Sequence, residues 1–460
     1  MLGSTVMFND RLKKLKLTSV QIIVISYLIA SVLGSFVFSM PIFHKSGVEI
    51  RFIDSIFTAV SAISVTGLSV LNVADTFNVA GKIVLAVFLQ FGGIGIMTLG
   101  TFVWLLMGRK IGLKERQLIM IDQNQTGLSG LVKLMKIVLG MAILIEIFGG
   151  IILGTYFLKF YDYWHQAYFY GFWHSLSAYT NAGFDLFGDS LFRFSNDYFV
   201  QVVMMLLLIL GAVGFPVLIE VREYIISLTQ QNKRNFRFSL YTKLTTTTFF
   251  TLILLGALGI FLLENSLYFA NLSWHEKLFY SLFNSVTSRN GGFATMDISL
   301  LSTQTLFFIA VLMIIGASPS SVGGGIRTTT FAVVVLTLFT FSKGNKEVRV
   351  FNRRLDEEDI LKSFVVFSAA AILLSAAIIL LDAVEGGTHT LMEIVFEVAS
   401  AFGTTGLSMG ITSELTNLGK LIITFLMFVG RIGLLSLLFI FKKEAPKAKV
   451  KYPSEKLIIG

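Results

Sequence analysis

Short apolar runs that end in a glycine-containing polar stretch occur four times along the chain, each between two longer apolar runs. The three runs of each set cover 18–40, 53–66 and 81–107; 131–158, 165–180 and 198–226; 241–263, 275–288 and 303–342; and 361–382, 390–403 and 418–441. A helix needs about 20 apolar residues to cross a membrane, so the outer runs of each set can span it and the middle run cannot. Each short middle run therefore predicts a re-entrant helix.

The four middle runs align on one glycine each. They read FTAVSAISVTGLS, WHSLSAYTNAGFD, LFNSVTSRNGGFA and FEVASAFGTTGLS, and the aligned glycines are Gly67, Gly183, Gly292 and Gly406. Six residues earlier the runs carry Ser61, Ser177, Val286 and Ser400, and 24 to 28 residues later come the marker glycines Gly92, Gly211, Gly316 and Gly430. The aligned glycines are 116, 109 and 114 residues apart. This near-constant period indicates four internal repeats, which we place at 1–107, 108–228, 229–342 and 343–460.

The composition is that of a membrane protein. Hydrophobic residues make up 54% of the chain and charged residues only 14%, with a mean hydropathy of +0.77. Soluble domains carry about 25% charged residues. We predict an all-α polytopic membrane protein in which four pseudo-symmetric repeats, each a span, a re-entrant pore helix, a filter loop and a second span, give eight full spans around one central pore. The chain has no cysteine, which excludes disulfides and thiolate chemistry.

Positive charge is concentrated at the two ends of the chain and between the repeats. The segments 1–17, 108–136, 222–243, 343–362 and 442–456 hold 27 of the 37 Lys and Arg residues. The positive-inside rule places all five segments, and hence both termini, in the cytoplasm. The net charge of +9 then reflects membrane topology, and we expect no nucleic-acid partner. The first apolar run has full membrane length, so we interpret it as a span and not as a signal peptide.

Non-helical backbone at membrane depth is tolerated only if it is buried in protein or lines a water-filled cavity. Four loops around one axis can supply carbonyl oxygens that replace the hydration shell of a cation, and glycine lets the backbone turn its carbonyl inward. The predicted filter comprises Val65, Thr66, Gly67, Leu68, Asn181, Ala182, Gly183, Phe184, Asn290, Gly291, Gly292, Phe293, Thr404, Thr405, Gly406 and Leu407. The predicted ligands are the carbonyls of Thr66, Ala182, Gly291 and Thr405 and of the four aligned glycines. For one loop alone a packing glycine is the simpler explanation, but four loops in register favour a cation filter.

These loops and their spacing resemble the Trk/Ktr/HKT superfamily of potassium transporters, in particular the membrane subunits of bacterial Ktr potassium-uptake systems, over essentially the whole chain. Plant HKT members with serine in the first filter position are associated with sodium permeation. Glycine at all four positions here implies a preference for potassium. The loops differ from the TVGYG of potassium channels, which implies fewer stacked ion sites.

The resemblance also implies partners and a location. It implies a homodimer in the plasma membrane of a bacterium and a cytosolic KtrA-like regulatory ring that binds ATP or ADP. The ring would dock on segments such as 108–130, 228–240 and 343–360, whereas the basic tail could contact anionic lipid or the neighbouring subunit. Potassium is the expected substrate and sodium an expected activator, and we expect no cofactor on this chain.

The second long run of repeat 3 is interrupted by GASPSSVGGGIRTTT, residues 316–330. Proline removes a backbone donor and consecutive glycines lower helix propensity, so the helix should break here. We predict an intramembrane gating loop at 316–328. The alternatives are a passive kink and a phosphate-binding loop, whose G-x-x-x-x-G-K-[ST] spacing is absent. The predicted gate residues are Gly316, Ala317, Ser318, Pro319, Ser320, Ser321, Gly323, Gly324, Gly325 and Arg431.

Arg431 enters this set because it lies in the apolar stretch LMFVGRIGLLSLLF. An unpaired arginine inside a membrane is costly, so it indicates a functional site. It follows the marker glycine Gly430, whose counterpart Gly316 opens the interruption. We predict that it hydrogen-bonds carbonyls or hydroxyls of the loop and that its charge opposes resting cations. The family resemblance implies the same barrier.

The remaining polar residues indicate no chemistry. Glu146, Glu393 and Glu397 are either cation ligands or structural hydrogen-bond partners, and we favour the second interpretation. No nucleophile–base pair, cofactor motif or metal-ligand spacing is present, so we do not expect an enzyme. The expected function is channel-like potassium translocation. The alternative is a sodium- or proton-coupled secondary transporter for a larger solute, although that class usually shows two inverted halves.

Overall fold

The computed structural model describes residues 18–106, 112–122, 130–229 and 236–440, together with 455 and 458. The basic N-terminal segment lies outside these residues, as do nearly all of the basic tail and parts of two other predicted cytoplasmic segments. Most of the described chain is helical, as predicted, and the helices are joined by irregular loops. A two-stranded antiparallel hairpin, β1 (Arg349–Val350) and β2 (Arg353–Arg354), lies within the predicted cytoplasmic segment 343–362.

The helices follow the predicted order of the repeats. Repeat 1 contains α1 (Ser19–Phe38), α2 (Phe52–Ser64), α3 (Val73–Thr76), α4 (Val79–Ile94) and α5 (Ile96–Leu106). Repeat 2 contains α6 (Leu113–Asp122), α7 (Leu131–Phe157), α8 (Trp164–Tyr179), α9 (Tyr198–Ala212) and α10 (Phe215–Thr229). Repeat 3 contains α11 (Leu240–Glu264), α12 (Trp274–Thr287), α13 (Thr303–Ile314) and α14 (Thr328–Ser342). Repeat 4 contains α15 (Glu357–Glu385), α16 (Leu391–Gly403), α17 (Asn417–Ile432) and α18 (Leu434–Ile440).

In each repeat the long helix that precedes the short middle helix, which we call the first helix, is uninterrupted. These four helices are α1, α7, α11 and α15. They contain 20, 27, 25 and 29 residues, and each is long and apolar enough to cross a membrane. Polar side chains stop three of them from fraying at the start, because Thr18, Ser239 and Asp356 accept hydrogen bonds from backbone N–H groups of the first turn.

The second long apolar run of each repeat, which we call its second helix, is divided into two parts: α4 and α5, α9 and α10, α13 and α14, and α17 and α18. The sequence indicated an interruption only in repeat 3. In repeats 1, 2 and 4 the break contains a glycine at positive φ: Gly95 at 103°, Gly214 at 99° and Gly433 at 87°. The chain turns by 103° between α9 and α10 and by 95° between α17 and α18. Counting each of these bent pairs as one span, up to six spans are found among the described residues. Eight full spans therefore remain a prediction.

The short middle helices, α2, α8, α12 and α16, link the repeats into a ring. Each packs against the first helix of its own repeat and against the second helix of the preceding one: α2 on α17, α8 on α4, α12 on α9 and α16 on α13. The last repeat thus contacts the first. Four repeats around one axis require this cyclic order.

Candidate ion pathway

The four loops that follow the middle helices have the same backbone conformation. In each glycine loop (65–68, 181–184, 290–293 and 404–407) the first and third residues have positive φ. The φ values are 56° and 91° at Val65 and Gly67, 53° and 69° at Asn181 and Gly183, 68° and 73° at Asn290 and Gly292, and 51° and 92° at Thr404 and Gly406. The residues two positions before the glycines were predicted as filter residues, but only the glycines were expected to need an unusual backbone conformation. Left-handed backbone is uncommon outside glycine and is an outlier for β-branched residues, so the surrounding structure must hold it in place.

The aligned glycines bring the four loops edge to edge. A methyl group built on Gly183 would lie 2.7 Å from the Cα of Gly292, and one on Gly292 would lie 2.7 Å from the carbonyl oxygen of Thr405. A methyl group on Gly406 would lie 3.1 Å from the Cα of Gly67. One on Gly67 would lie 3.1 Å from the Cα of Gly183. The loops thus close a ring in the order of the repeats, and any side chain at these positions would enter the space between neighbouring loops.

The carbonyls predicted as ligands lie at the junctions of this ring. The Ala182 carbonyl adjoins Gly67, the Gly291 carbonyl adjoins Gly183, the Thr405 carbonyl adjoins Gly292 and the Thr66 carbonyl adjoins Gly406. Each carbonyl therefore faces the glycine of the neighbouring loop. This arrangement concentrates backbone oxygens where the four loops meet, which suits a cation that sheds its water.

Hydroxyl groups on the middle helices brace the glycine loops. Ser61 donates to the Leu68 carbonyl at 2.7 Å, Ser177 donates to the Phe184 carbonyl at 2.7 Å, and Ser400 accepts from the Gly406 N–H at 3.1 Å. Repeat 3 carries Val286 at this position, and the neighbouring Thr287 replaces the brace by donating to the Phe293 carbonyl at 2.7 Å. The serines six residues before the aligned glycines therefore have a structural role.

One open cavity of about 460 Å³ adjoins all four aligned glycines. Its lining includes the segments that follow the glycine loops, with the carboxylates of Asp185 and Asp297. Asp185 accepts hydrogen bonds from the N–H groups of Phe187 at 2.7 Å and Gly188 at 2.6 Å. Burial is the main influence on this carboxyl and raises its pKa above the ordinary value. We call this space the outer cavity.

On the side of the glycine loops away from this cavity lies the interruption of repeat 3, residues 315–327, which we call the inserted loop. Its neck is closed by a hydrogen bond from the Ile326 N–H to the Ile314 carbonyl at 3.0 Å. The Gly324 N–H donates to the hydroxyl of Thr404 at 2.8 Å. A methyl group on Gly323 would lie 2.5 Å from Cγ of Asn290. The inserted loop is thus in direct contact with two of the glycine loops.

The neighbouring repeats also hold the inserted loop. Three backbone hydrogen bonds join it to repeat 2: the Ser318 N–H donates to the Ala212 carbonyl at 3.1 Å, the Val322 N–H donates to the Gly211 carbonyl at 3.3 Å, and the Ser320 carbonyl accepts from the Phe215 N–H at 2.8 Å. On α11, the Tyr241 hydroxyl donates to the Pro319 carbonyl at 2.6 Å. From repeat 4, the Gly430 carbonyl accepts from the Gly325 N–H at 3.3 Å. Hydrogen bonds from repeats 2 and 4 and from α11 therefore hold the inserted loop in one conformation.

Arg431 is 8% exposed and joins three repeats. Its guanidinium donates to the carbonyl of Val322 in the inserted loop and to the carbonyls of Gly92 and Gly93 in repeat 1, the last at 3.3 Å. A second arginine, Arg327, donates to the Gly323 carbonyl and, at 3.3 Å, to the Ser318 carbonyl. Arg327 is not among the predicted gate residues, although it lies two residues after three consecutive glycines.

The three glutamates make structural contacts. Glu146 accepts from Nε2 of Gln90 at 3.0 Å. Glu393 forms a capping box with Thr390 at the start of α16. Glu397 accepts hydrogen bonds from the hydroxyls of Ser408 at 2.8 Å and Thr412 at 2.5 Å. These contacts fit the structural interpretation favoured above.

One buried ion pair was not foreseen from the sequence. Lys420 on α17 lies 2.7 Å from Asp54 on α2, and the two side chains are 2% and 7% exposed. Asp54 is also paired with Arg51 at 2.9 Å. The pair ties the start of one middle helix to repeat 4. A lysine inside the apolar run 418–441 was the available signal.

The chain is similar to known cation transport proteins over nearly its whole length. A sequence model of the TrkH family, described as cation transport proteins, matches residues 6–452. Ktr system potassium uptake protein D of Bacillus subtilis is 54% identical over 96% of this chain and 98% of its own length. Ktr system potassium uptake protein B of the same organism is 35% identical over 98% of each chain. The potassium/sodium uptake protein NtpJ of Enterococcus hirae is 32% identical over 98% of this chain and 99% of its own.

Among solved structures, the potassium transporter TrkH from Vibrio parahaemolyticus matches with a TM-score of 0.72. The match covers 92% of this chain and 84% of that chain at 18% identity, which shows a shared fold. Together with the family match across nearly the whole sequence, these comparisons give one conclusion: the chain is a multi-pass membrane protein that belongs to the TrkH family of cation transport proteins.

Proposed function

We propose that this protein is the potassium-translocating membrane subunit of a Ktr-type uptake system, with one channel-like pore per chain. Potassium would move down its electrochemical gradient from the outer cavity through the ring of glycine loops. The observation that carries the proposal is this ring, because four loops with one backbone conformation meet next to a single open cavity. The names of the relatives add the substrate, which is potassium in each and also sodium for NtpJ.

The glycine loops act as the filter in this proposal. The sixteen residues predicted from the sequence form it, and the carbonyls at the ring junctions coordinate the ion. Glycine is required at the four aligned positions for two reasons: φ is positive there, and the neighbouring loop occupies the space that a Cβ would need.

The inserted loop and Arg431 act as the gate. The loop lies against two of the glycine loops, and the guanidinium places a positive charge beside it. A cation leaving the filter would meet both. Opening must therefore remove the loop from its contacts with repeats 2 and 4.

The remaining parts of the proposal concern assembly and orientation. The chain works as a homodimer in a bacterial plasma membrane, with both termini in the cytoplasm and repeat boundaries at 1–107, 108–228, 229–342 and 343–460. A cytosolic KtrA-like ring that binds ATP or ADP controls the gate, and sodium acts as an activator. The names of the Ktr-system relatives support a multi-component system. The concentration of Lys and Arg between the repeats supports the orientation.

Growth of a bacterium that lacks its own potassium uptake tests the proposal. The parent protein should restore growth at low external potassium, whereas Gly67→Ser and Gly292→Ser should abolish the rescue or make it sensitive to sodium, because a side chain would enter the ring. Gly386→Ser is the matched control, since Gly386 also has positive φ, at 62°, but has nothing within 4 Å of a built Cβ. Failure of the parent to rescue growth would refute potassium uptake. Full rescue by Gly67→Ser would refute the filter.

A further inference from the structure

The hydroxyl of Thr404 connects a glycine loop to the inserted loop. It accepts hydrogen bonds from the Gly324 N–H at 2.8 Å and from Nδ2 of Asn290 at 3.0 Å. The same Nδ2 also donates to the Thr404 carbonyl at 3.1 Å. Both Thr404 and Asn290 are fully buried. One hydroxyl thus joins the glycine loops of repeats 3 and 4 to the inserted loop.

The backbone of Thr404 depends on such contacts. Its φ is 51°, and a β-branched residue adopts left-handed backbone only when the surrounding structure compels it. Val65 has the same backbone at the equivalent place in repeat 1, and each of the two residues packs against the marker glycine of its own repeat: a methyl group on Gly92 would lie 2.8 Å from Cγ2 of Val65, and one on Gly430 would lie 3.2 Å from Cγ2 of Thr404. In repeat 4 the inserted loop takes part in holding the strained residue.

We infer that Thr404 is a positioning residue through which the inserted loop and the filter control each other. When the loop is in place, its hydrogen bond holds Thr404 in the conformation that keeps the adjoining carbonyls at the ring junction. Potassium bound at the ring favours the same conformation. Because such coupling is reciprocal, bound potassium holds the inserted loop closed, and release of the loop weakens potassium binding. This inference rests on the proposed function and adds to it a link between filter and gate.

The absence of cysteine from the chain allows a direct test. Ser321 is 9% exposed within the inserted loop, and Ser321→Cys would introduce a single thiol there. The rate at which a charged maleimide modifies this thiol reports how often the loop opens. The full-length protein would be measured in detergent in potassium chloride and in choline chloride of equal ionic strength. We expect modification to be several-fold slower in potassium.

Thr404→Val removes the hydroxyl and keeps the shape of the side chain. In potassium, the thiol of the Ser321→Cys, Thr404→Val protein should be modified about fivefold faster than that of Ser321→Cys alone, which is the change expected for loss of one ordinary hydrogen bond. Its modification rate should be the same in potassium and in choline. Thr404→Ser retains the hydroxyl and should retain the potassium dependence. Thr295→Val is the matched control, because the Thr295 hydroxyl is buried and has no hydrogen-bond partner among the described residues. It should also retain the dependence.

Three results would overturn the coupling. They are equal labelling in potassium and choline when Thr404 is intact, potassium dependence that survives in Thr404→Val, and loss of the dependence in Thr404→Ser. The first comparison needs no change at Thr404, so it remains decisive even if Thr404→Val does not fold. Potassium flux measured on the parent protein in liposomes separates the two levels. Absent flux refutes the proposed function, whereas flux with salt-independent labelling refutes only the coupling.

Discussion

The second helices of repeats 2 and 3 both break near a marker glycine, but in different ways. In repeat 2 the break takes two residues, Val213 and Gly214, and turns the chain by 103°. In repeat 3 the break takes residues 315–327, which form a loop closed at its neck and in contact with two glycine loops. One glycine is therefore enough to redirect a helix. The additional residues of repeat 3 are not needed for such a turn, and their contacts with the glycine loops are the basis for proposing a barrier to ions.

Removal of the inserted loop tests this difference with the largest expected effect. Deletion of residues 316–325 should raise potassium flux into liposomes on the order of 100-fold, since several hydrogen bonds of about 1 kcal/mol each hold the closed state. Arg431→Ala should raise the flux less, by about tenfold, because it removes charge-assisted hydrogen bonds but leaves the loop in place. Arg431→Lys keeps the positive charge and should lie between Arg431→Ala and the parent. Unchanged flux in both the deletion and Arg431→Ala would defeat the assignment of a gate.

The role of a single glycine in the shorter breaks can be tested next. Gly433 has φ of 87° and nothing within 4 Å of a built Cβ, so Gly433→Ala would add backbone strain without a clash. With ψ of 139°, Gly433 lies outside the left-handed helical region in a conformation that is sparsely populated by other residues and costs them about 1–3 kcal/mol, so the thermal unfolding temperature in detergent should fall accordingly. Gly140→Ala is the control, because Gly140 lies within α7, its surroundings are equally open, and alanine favours helix by about 1 kcal/mol. Equal unfolding temperatures for the two variants would show that the bend does not depend on Gly433.

The smallest expected effect concerns the outer cavity, where repeats 2 and 3 also differ. Repeat 2 carries Asp185 two residues after its aligned glycine, whereas repeat 3 has Ala294. The carboxylate is charged above its pKa and neutral below it. Because burial raises this pKa, the charge is lost at a higher pH than for an exposed aspartate. Acidification should therefore lower potassium uptake at low external potassium. Asp185→Asn should lower uptake about twofold at neutral pH by removing local negative charge, and should leave little further acid dependence.

The Asp185 prediction is checked by measuring uptake against external pH. Asp189→Asn is the matched control, since Asp189 lies four residues away and pairs with Arg193 at the surface. It should keep an acid dependence, displaced to lower pH, because the charge of Asp189 contributes to raising the pKa of Asp185. The same pH profile in Asp185→Asn and the parent would remove Asp185 from the ion path.

Positions where two backbones meet closely could be recognised from the sequence. The marker glycines show why: a Cβ on Gly92 would lie 2.5 Å from the Ile63 carbonyl, and a Cβ on Gly211 or Gly430 would lie still closer to a carbonyl near the end of α8 or α16. Only glycine fits such contacts, so the requirement appears as one residue type at a regular spacing. In repeat 3 the same glycine instead meets the Gly324 carbonyl of the inserted loop.

Positions fixed by their surroundings could not be recognised in this way. The left-handed residues of the glycine loops are valine, asparagine, asparagine and threonine, and no shared side chain reveals their conformation. Asp54 and Lys420 are 366 positions apart, and their pairing depends on how the first and last repeats pack. The hydrogen bond from Gly324 to Thr404 likewise joins residues 80 positions apart.

The sequence by itself determined the membrane class, the positions of the glycine loops and the interruption of the apolar run 303–342. Each of these follows from local rules, since apolar length, glycine and proline constrain the chain wherever they occur. The tertiary structure alone decided that the loops close a ring in the order of the repeats and that the inserted loop rests against two of them. These contacts arise when helices distant in sequence pack together, and many combinations of side chains satisfy such packing, so no sequence pattern records it.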